Sequence, residues 1–127
     1  MTRPVGRGWA TVELQRAEDE VRDLLGGDLR FSDTRRSALL GARCRRAATT
    51  DEEWIVLLEP DTEGRLAGFL ARQGEGWAAT WETGDPRPPG VEEPRGVPGP
   101  LGLELLRREQ PIRGPFRLIL TTATIEP

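Results

Sequence analysis

The stretch Trp54–Glu59 (WIVLLE), followed by 60–64 (PDTEG), 65–73 (RLAGFLARQ), 74–76 (GEG) and 77–83 (WAATWET), decides how this chain is read. WIVLLE is dense in β-formers, and PDTEG places proline and glycine as turn residues. RLAGFLARQ reads as a second strand, GEG as a second turn and WAATWET as a third strand. That sequence of elements predicts an antiparallel meander, and three adjacent strands stand as a sheet once a face is covered. A symmetric GEG turn sets Phe69 opposite Trp81. Ile55 and Leu57 then lie on one face of the sheet, and Trp54, Val56 and Leu58 on the other. Both faces of the first strand are apolar, whereas a half-wet antiparallel strand should alternate. Something must therefore cover both sides.

Upstream, residues 1–8 (MTRPVGRG) read as a flexible tail, with 9–127 as a single domain. Ala10, Leu14, Ala17, Val21, Leu24 and Leu25 recur at spacings of three and four and predict a helix that covers one sheet face. Gly26-Gly27 ends it, because glycine readily takes the left-handed cap conformation. Trp9–Leu14 also alternates and fits a short strand. The stretch 35–46 (RRSALLGARCRR) fits a strand better than a helix, since Gly41 would sit mid-helix at a cost of about 1 kcal/mol. Downstream, 84–100 is rich in proline and glycine and reads as a loop. Leu101–Gln110 reads as a short helix stopped by Pro111, and Phe116–Ile125 as a final strand. No internal repeat shows in the residues.

The expected class is α+β: an N-terminal helix on a four- or five-stranded antiparallel sheet, with a short helix before the C-terminal strand. A helix followed by a curled antiparallel sheet resembles cystatin-like or NTF2-like architecture in element order. That resemblance is one of architecture and implies no activity.

The alphabet is as informative as the pattern. All 18 basic side chains are arginine, and the chain has no lysine, histidine, tyrosine or asparagine. A GC-rich bacterial genome accounts for three of those absences through codon usage. The lack of histidine removes the usual acid, base and metal ligand near neutral pH. Cys44, the sole cysteine, has no histidine to act as its base, and its alternation places it on an apolar side as a small hydrophobe. Carboxylates remain, but no spacing singles out a catalytic pair, and no EF-hand, P-loop, GxGxxG or GxSxG pattern is present. The expectation is no catalytic residue, no metal and no cofactor.

Net charge is −3, which argues against a nucleic-acid partner, since phosphate binding needs a basic surface. The longest apolar run is far short of the roughly 20 residues that span a bilayer. No membrane partner is expected, and the cytoplasm is the expected compartment. Candidate binding residues are the aromatic set Trp77, Trp81 and Phe69, and the basic cluster Arg43, Arg45 and Arg46. Together they point to a noncatalytic protein-binding or regulatory protein, such as an adaptor, an immunity-type inhibitor or a chaperone, with a protein partner or a homodimer. The alternative is a small-ligand-binding domain of cystatin/NTF2-like architecture, with carboxylate-only catalysis as an option.

Overall fold

A computed structural model describes residues 3–26, 28–49, 53–62, 65–83, 97–101, 103–109 and 118–122. The elements run β1 (Arg3–Ala10), α1 (Leu14–Leu25), β2 (Arg35–Ser37), β3 (Ala42–Ala48), β4 (Trp54–Pro60), α2 (Arg65–Gln73), β5 (Gly76–Thr83), β6 (Val97–Pro98), β7 (Leu103–Glu109) and β8 (Leu118–Thr122). The α+β class and the N-terminal helix on the sheet are as expected. The strands form one eight-stranded mixed sheet in the order β2-β3-β4-β1-β5-β8-β7-β6.

That order contains a repeat of topology that the residues conceal. In the first half β1 runs parallel to β4, β4 antiparallel to β3, and β3 antiparallel to β2. In the second half β5 runs parallel to β8, β8 antiparallel to β7, and β7 antiparallel to β6. The halves join where β1 and β5 pair antiparallel. In the first half α1 fills the step from β1 to β2. The matching step, 84–96, lies outside the described residues, as does most of the expected proline-rich loop.

Three expectations are corrected. The expected tail is the central strand β1, which starts at Arg3 and is hydrogen-bonded on both sides. Glycine rules there for a packing reason: a Cβ at Gly8 would lie 2.8 Å from both Leu58 Cδ1 and Trp81 Cζ3. A strand with Gly6, Gly8 and Pro4 has poor β propensity, and its burial between two neighbours overrides that preference.

The expected second strand, 65–73, is helix α2. Leu66, Phe69 and Leu70 share one helical stripe, and Gly74 (φ +79°) ends the helix, its N–H donating to Leu70 O at 2.9 Å. Because β1 lies between β4 and β5, the connection must step over β1, which a tight hairpin cannot do. The expected short helix over 101–110 is instead β7 from Leu103. Its leucines and arginines favour a helix weakly, and pairing to β6 and β8 outweighs that. The stretch 35–46 is strand on both sides of a turn over 38–41, with Gly41 at φ +64°.

Two apolar layers form, one on each side of the sheet. On the outer face, Leu14, Ala17 and Val21 of α1 pack on Ala47, Ile55 and Leu57, with Trp9, Phe31 and Trp77 at the margin. On the inner face, Leu66 and Phe69 of α2, with Leu40 and Leu101, pack on Ala10, Ala42, Cys44, Val56, Leu58, Ala79 and Trp81. Each fully buried large aliphatic contributes roughly 1.5–3 kcal/mol. The two-sided apolarity of WIVLLE is thus satisfied by α1 on one side and by α2, Leu40 and Leu101 on the other.

Candidate functional site

The inner face is the surface where the two halves of the sheet meet away from α1. Its described wall comes from alternate residues of four strands: Gly6 and Gly8 of β1, Cys44 and Arg46 of β3, Trp54, Val56 and Leu58 of β4, and Ala79 and Trp81 of β5. Trp81 is fully buried at the centre. Its indole lies against the bare backbone of Gly8, which is why β1 carries glycine at that level.

Arg46 is the one charged side chain of this described wall, at 7% exposure. Its guanidinium carbon lies over the Trp54 ring at 4.4 Å from the centroid. A cation–π contact of this kind is worth about 0.5–2 kcal/mol, more as water is excluded. A guanidinium is a planar fork of donors that suits carboxylate or phosphate oxygens.

A second feature lies beside this face. Val12, Glu59, Pro60, Asp61, Ala67, Leu70 and Ala71 line an open cleft of about 380 Å3 between the ends of β1 and β4 and the flank of α2. Its two carboxylates are engaged. Glu59 accepts from Arg43 and, through Oε2, from the Leu14 N–H at 3.1 Å. Asp61 accepts from Arg36 through both oxygens. Burial pushes the Glu59 carboxyl up, but the bonds from Arg43 and the Leu14 N–H, with the Arg43 and Arg45 charges, bring it below its ordinary value. The Asp61 carboxyl is lowered chiefly by its bond from Arg36. Carboxylates held ionised in this way are poor general acids.

Glu75, in the GEG segment, ties the two halves together beside the cleft. Its Oε1 accepts from Thr11 Oγ1 at 2.5 Å, the Val12 N–H at 3.0 Å and Arg16 Nη2 at 2.5 Å. The Thr11 bond is the main reason its carboxyl lies below the ordinary value; burial opposes, and Val12 and Arg16 add to the lowering.

The structure separates the residues singled out from sequence. Trp77 and Trp81 face opposite sides, because the β1–β5 ladder shifts register between Gly8 and Trp9, where Gly8 pairs with Ala79 and Trp9 with Trp77. Trp77 sits on the outer face, edge-on to Trp9 with ring centroids 5.1 Å apart and Arg7 over its ring at 4.5 Å. Trp81 and Phe69 do come together, but within the inner core. Arg43 pairs with Glu59 at the strand end. Arg45 reaches across the outer face to Glu18 of α1 at 2.5 Å, and only Arg46 points inward. Sequence reading missed Gly8, Glu75 and the Arg46–Trp54 pair. The alternate glycines of Gly6-Arg7-Gly8 were a signal of close approach, but they were absorbed into the expected tail.

No protein-family model matches this chain, and no curated protein matches it by sequence. Solved structures do match. A Streptomyces coelicolor methylmalonyl-CoA epimerase variant, in complex with 2-nitronate-propionyl-CoA, aligns over 98% of both chains at TM-score 0.68 and 16% identity. The fold is that of the methylmalonyl-CoA epimerases. The epimerase of Mycobacterium tuberculosis matches at TM-score 0.55 and 22% identity, and a hypothetical protein of Bacillus halodurans C-125 at 0.56 and 20%. Those alignments cover 63% and 66% of this chain and only 53% and 59% of the two proteins.

The architecture is therefore the βαβββ, vicinal-oxygen-chelate type, not the cystatin/NTF2-like type. The expected function is corrected with it. A noncatalytic protein-binding or regulatory role rested on two-faced apolar strands, and α1 and α2 of the chain itself pack on those faces. Several neighbours by fold are methylmalonyl-CoA epimerases in complex with small molecules.

The name of this fold type implies a cation chelated by neighbouring oxygens. Among the described residues no group of three His, Cys, Asp or Glu side chains is arranged to hold a metal ion. The described inner wall offers a single potential ligand atom, the Cys44 sulfur, and the residues do not fit the group. No helix among the described residues is long and apolar enough to cross a membrane.

Proposed function

We propose that this protein binds a small anionic organic molecule, of the acyl-thioester or short organic acid class, at the inner face of its sheet. The observation that carries the reading is Arg46: a single buried guanidinium, over the Trp54 ring, in a described wall that is otherwise apolar or neutral. The fold supports the class of ligand, since its neighbours hold 2-nitronate-propionyl-CoA and methylmalonyl-CoA. The described wall contains no carboxylate or imidazole to take a proton from carbon, so the reading extends to ligand binding and not to a particular proton transfer. The cytoplasm is the proposed compartment.

The test is titration of the full chain with propionyl-CoA, methylmalonyl-CoA, free CoA and malonate, followed by tryptophan fluorescence. Trp54 and Trp81 both border the proposed site, so binding should change emission. A hydrogen bond to a charged group is worth about 1.5–3 kcal/mol. Arg46→Gln should therefore weaken binding by roughly ten- to a hundredfold. Silence toward every one of these anions at millimolar concentration, from a folded protein, sinks the proposal. So does an Arg46→Gln variant that is folded and binds with unchanged affinity.

A further inference from the structure

We infer that the inner face of this protein works without a metal ion, and that the centre of that face is closed by a hydrophobic plug on Trp81. For the ligand this rests on the reading proposed above; for the plug it rests on packing alone.

A divalent cation needs about four to six oxygen, nitrogen or thiolate donors around it. The chain has no histidine, so no imidazole is on offer anywhere in it. Of the described wall only Cys44 carries a candidate ligand atom, and it is 99% buried, with its thiol turned toward Ala42 O at 3.8 Å. Arg46 stands two residues along the same face of β3. A fixed positive charge so near raises the cost of a second cation.

Space argues the same way. At the β1–β5 seam the Gly8 backbone approaches Trp81 Cζ3 and Leu58 Cδ1 so closely that one added carbon would lie 2.8 Å from each. Both of these side chains are fully buried. An ion with its shell of oxygens and an indole cannot share that volume.

Leu118 pairs with Ala79, Leu120 with Trp81, and Leu106 with Leu120. The carboxylate residues of β7, Glu104 and Glu109, stand near opposite ends of that strand, roughly 15 Å apart by strand rise. What the plug supplies is a dry centre to the inner face, where electrostatic attraction is screened less than in water.

The experiment uses the full chain purified without chelator. Metal per chain is measured by plasma mass spectrometry. The melting temperature is followed with EDTA and with added Mn2+, Co2+ and Zn2+, and the fluorescence response to propionyl-CoA is repeated in EDTA. The expected result is metal far below one ion per chain, a melting temperature unmoved by EDTA or cations, and one ligand response with or without chelator. Cys44→Ser should leave the metal content, and the indifference of the melting temperature to EDTA and added cations, unchanged. One ion per chain whose removal lowers the melting temperature or abolishes the ligand response overturns the inference. A metal-free protein that answers to none of the anions leaves this inference standing and removes the proposed ligand instead.

Discussion

Replacing Gly8 by alanine is the sharpest probe of the packing that closes the inner face. The added methyl would lie 2.8 Å from Leu58 Cδ1, 2.8 Å from Trp81 Cζ3 and 3.0 Å from Trp81 Cη2. Both neighbours are fully buried and cannot swing into solvent. Overpacking of this kind costs about 1–3 kcal/mol. Alanine also narrows the unfolded ensemble, which returns about 0.4–1 kcal/mol. The net expectation is a loss of about 1–2 kcal/mol, read as a melting temperature lower by roughly 4–8 °C in a domain of this size. Urea denaturation followed by far-UV circular dichroism gives the same quantity at constant temperature.

Two further variants make the reasoning specific. Gly68 lies inside α2, and its nearest contact for a methyl is Arg72 Nη1 at 3.5 Å. Gly68→Ala should therefore stabilise, by about 0.5–1 kcal/mol. Trp81→Phe removes the ring atoms that meet the methyl. It leaves a cavity of its own, yet Gly8→Ala should cost less in the Trp81→Phe background than in the wild type, a coupling that a double-mutant cycle reads directly. A Gly8→Ala protein as stable as the wild type would refute the account of β1 as a glycine strand pressed against an indole.

Other expectations follow from the polar contacts. Glu75→Gln keeps one acceptor oxygen but loses the charge, and should cost about 1–2 kcal/mol near neutral pH in urea titrations. Because the folded Glu75 carboxyl lies below its ordinary value of 4.5, its contribution is full above that pH and fades as pH falls through the lowered folded value. The wild-type and Glu75→Gln stability curves should therefore converge in acid. Arg45→Met strands the buried Glu18 on its remaining partner Arg22, with an expected loss of about 1–3 kcal/mol. Arg36→Gln breaks a solvent-exposed pair with Asp61 and should leave the urea midpoint unmoved within error. Phe69→Ala empties the contact of α2 with the inner core and should cost about 3–5 kcal/mol by chemical denaturation.

Local pattern carried much of the fold. The stripe Leu14, Ala17, Val21 is helical whatever surrounds it, and Gly26 ends that helix as its position foretold. WIVLLE is a strand with two apolar faces, and both had to be covered. The composition restricted the chemistry before any coordinate was known, because a chain without histidine cannot present an imidazole. Three segments went the other way. Arg3–Ala10 has the composition of a tail, RLAGFLARQ that of a hairpin arm, and LELLRRE that of a helix. Each took its state from what lies beside it: a glycine strand wedged between β4 and β5, a helix forced to step over that strand, and an edge ladder completed by β6 and β8.

The site was less legible for the same reason. Two tryptophans four residues apart should share a face, yet a single register shift at Gly8 and Trp9 sends Trp77 outward and Trp81 inward. Arg43, Arg45 and Arg46 are neighbours in sequence, and the pleat sends the first two to carboxylates and the third to an indole. Side-chain identity is set residue by residue along the chain. Which side of a sheet a residue faces, and what meets it there, depends on pairings between strands dozens of residues apart, and those the folded chain alone decides.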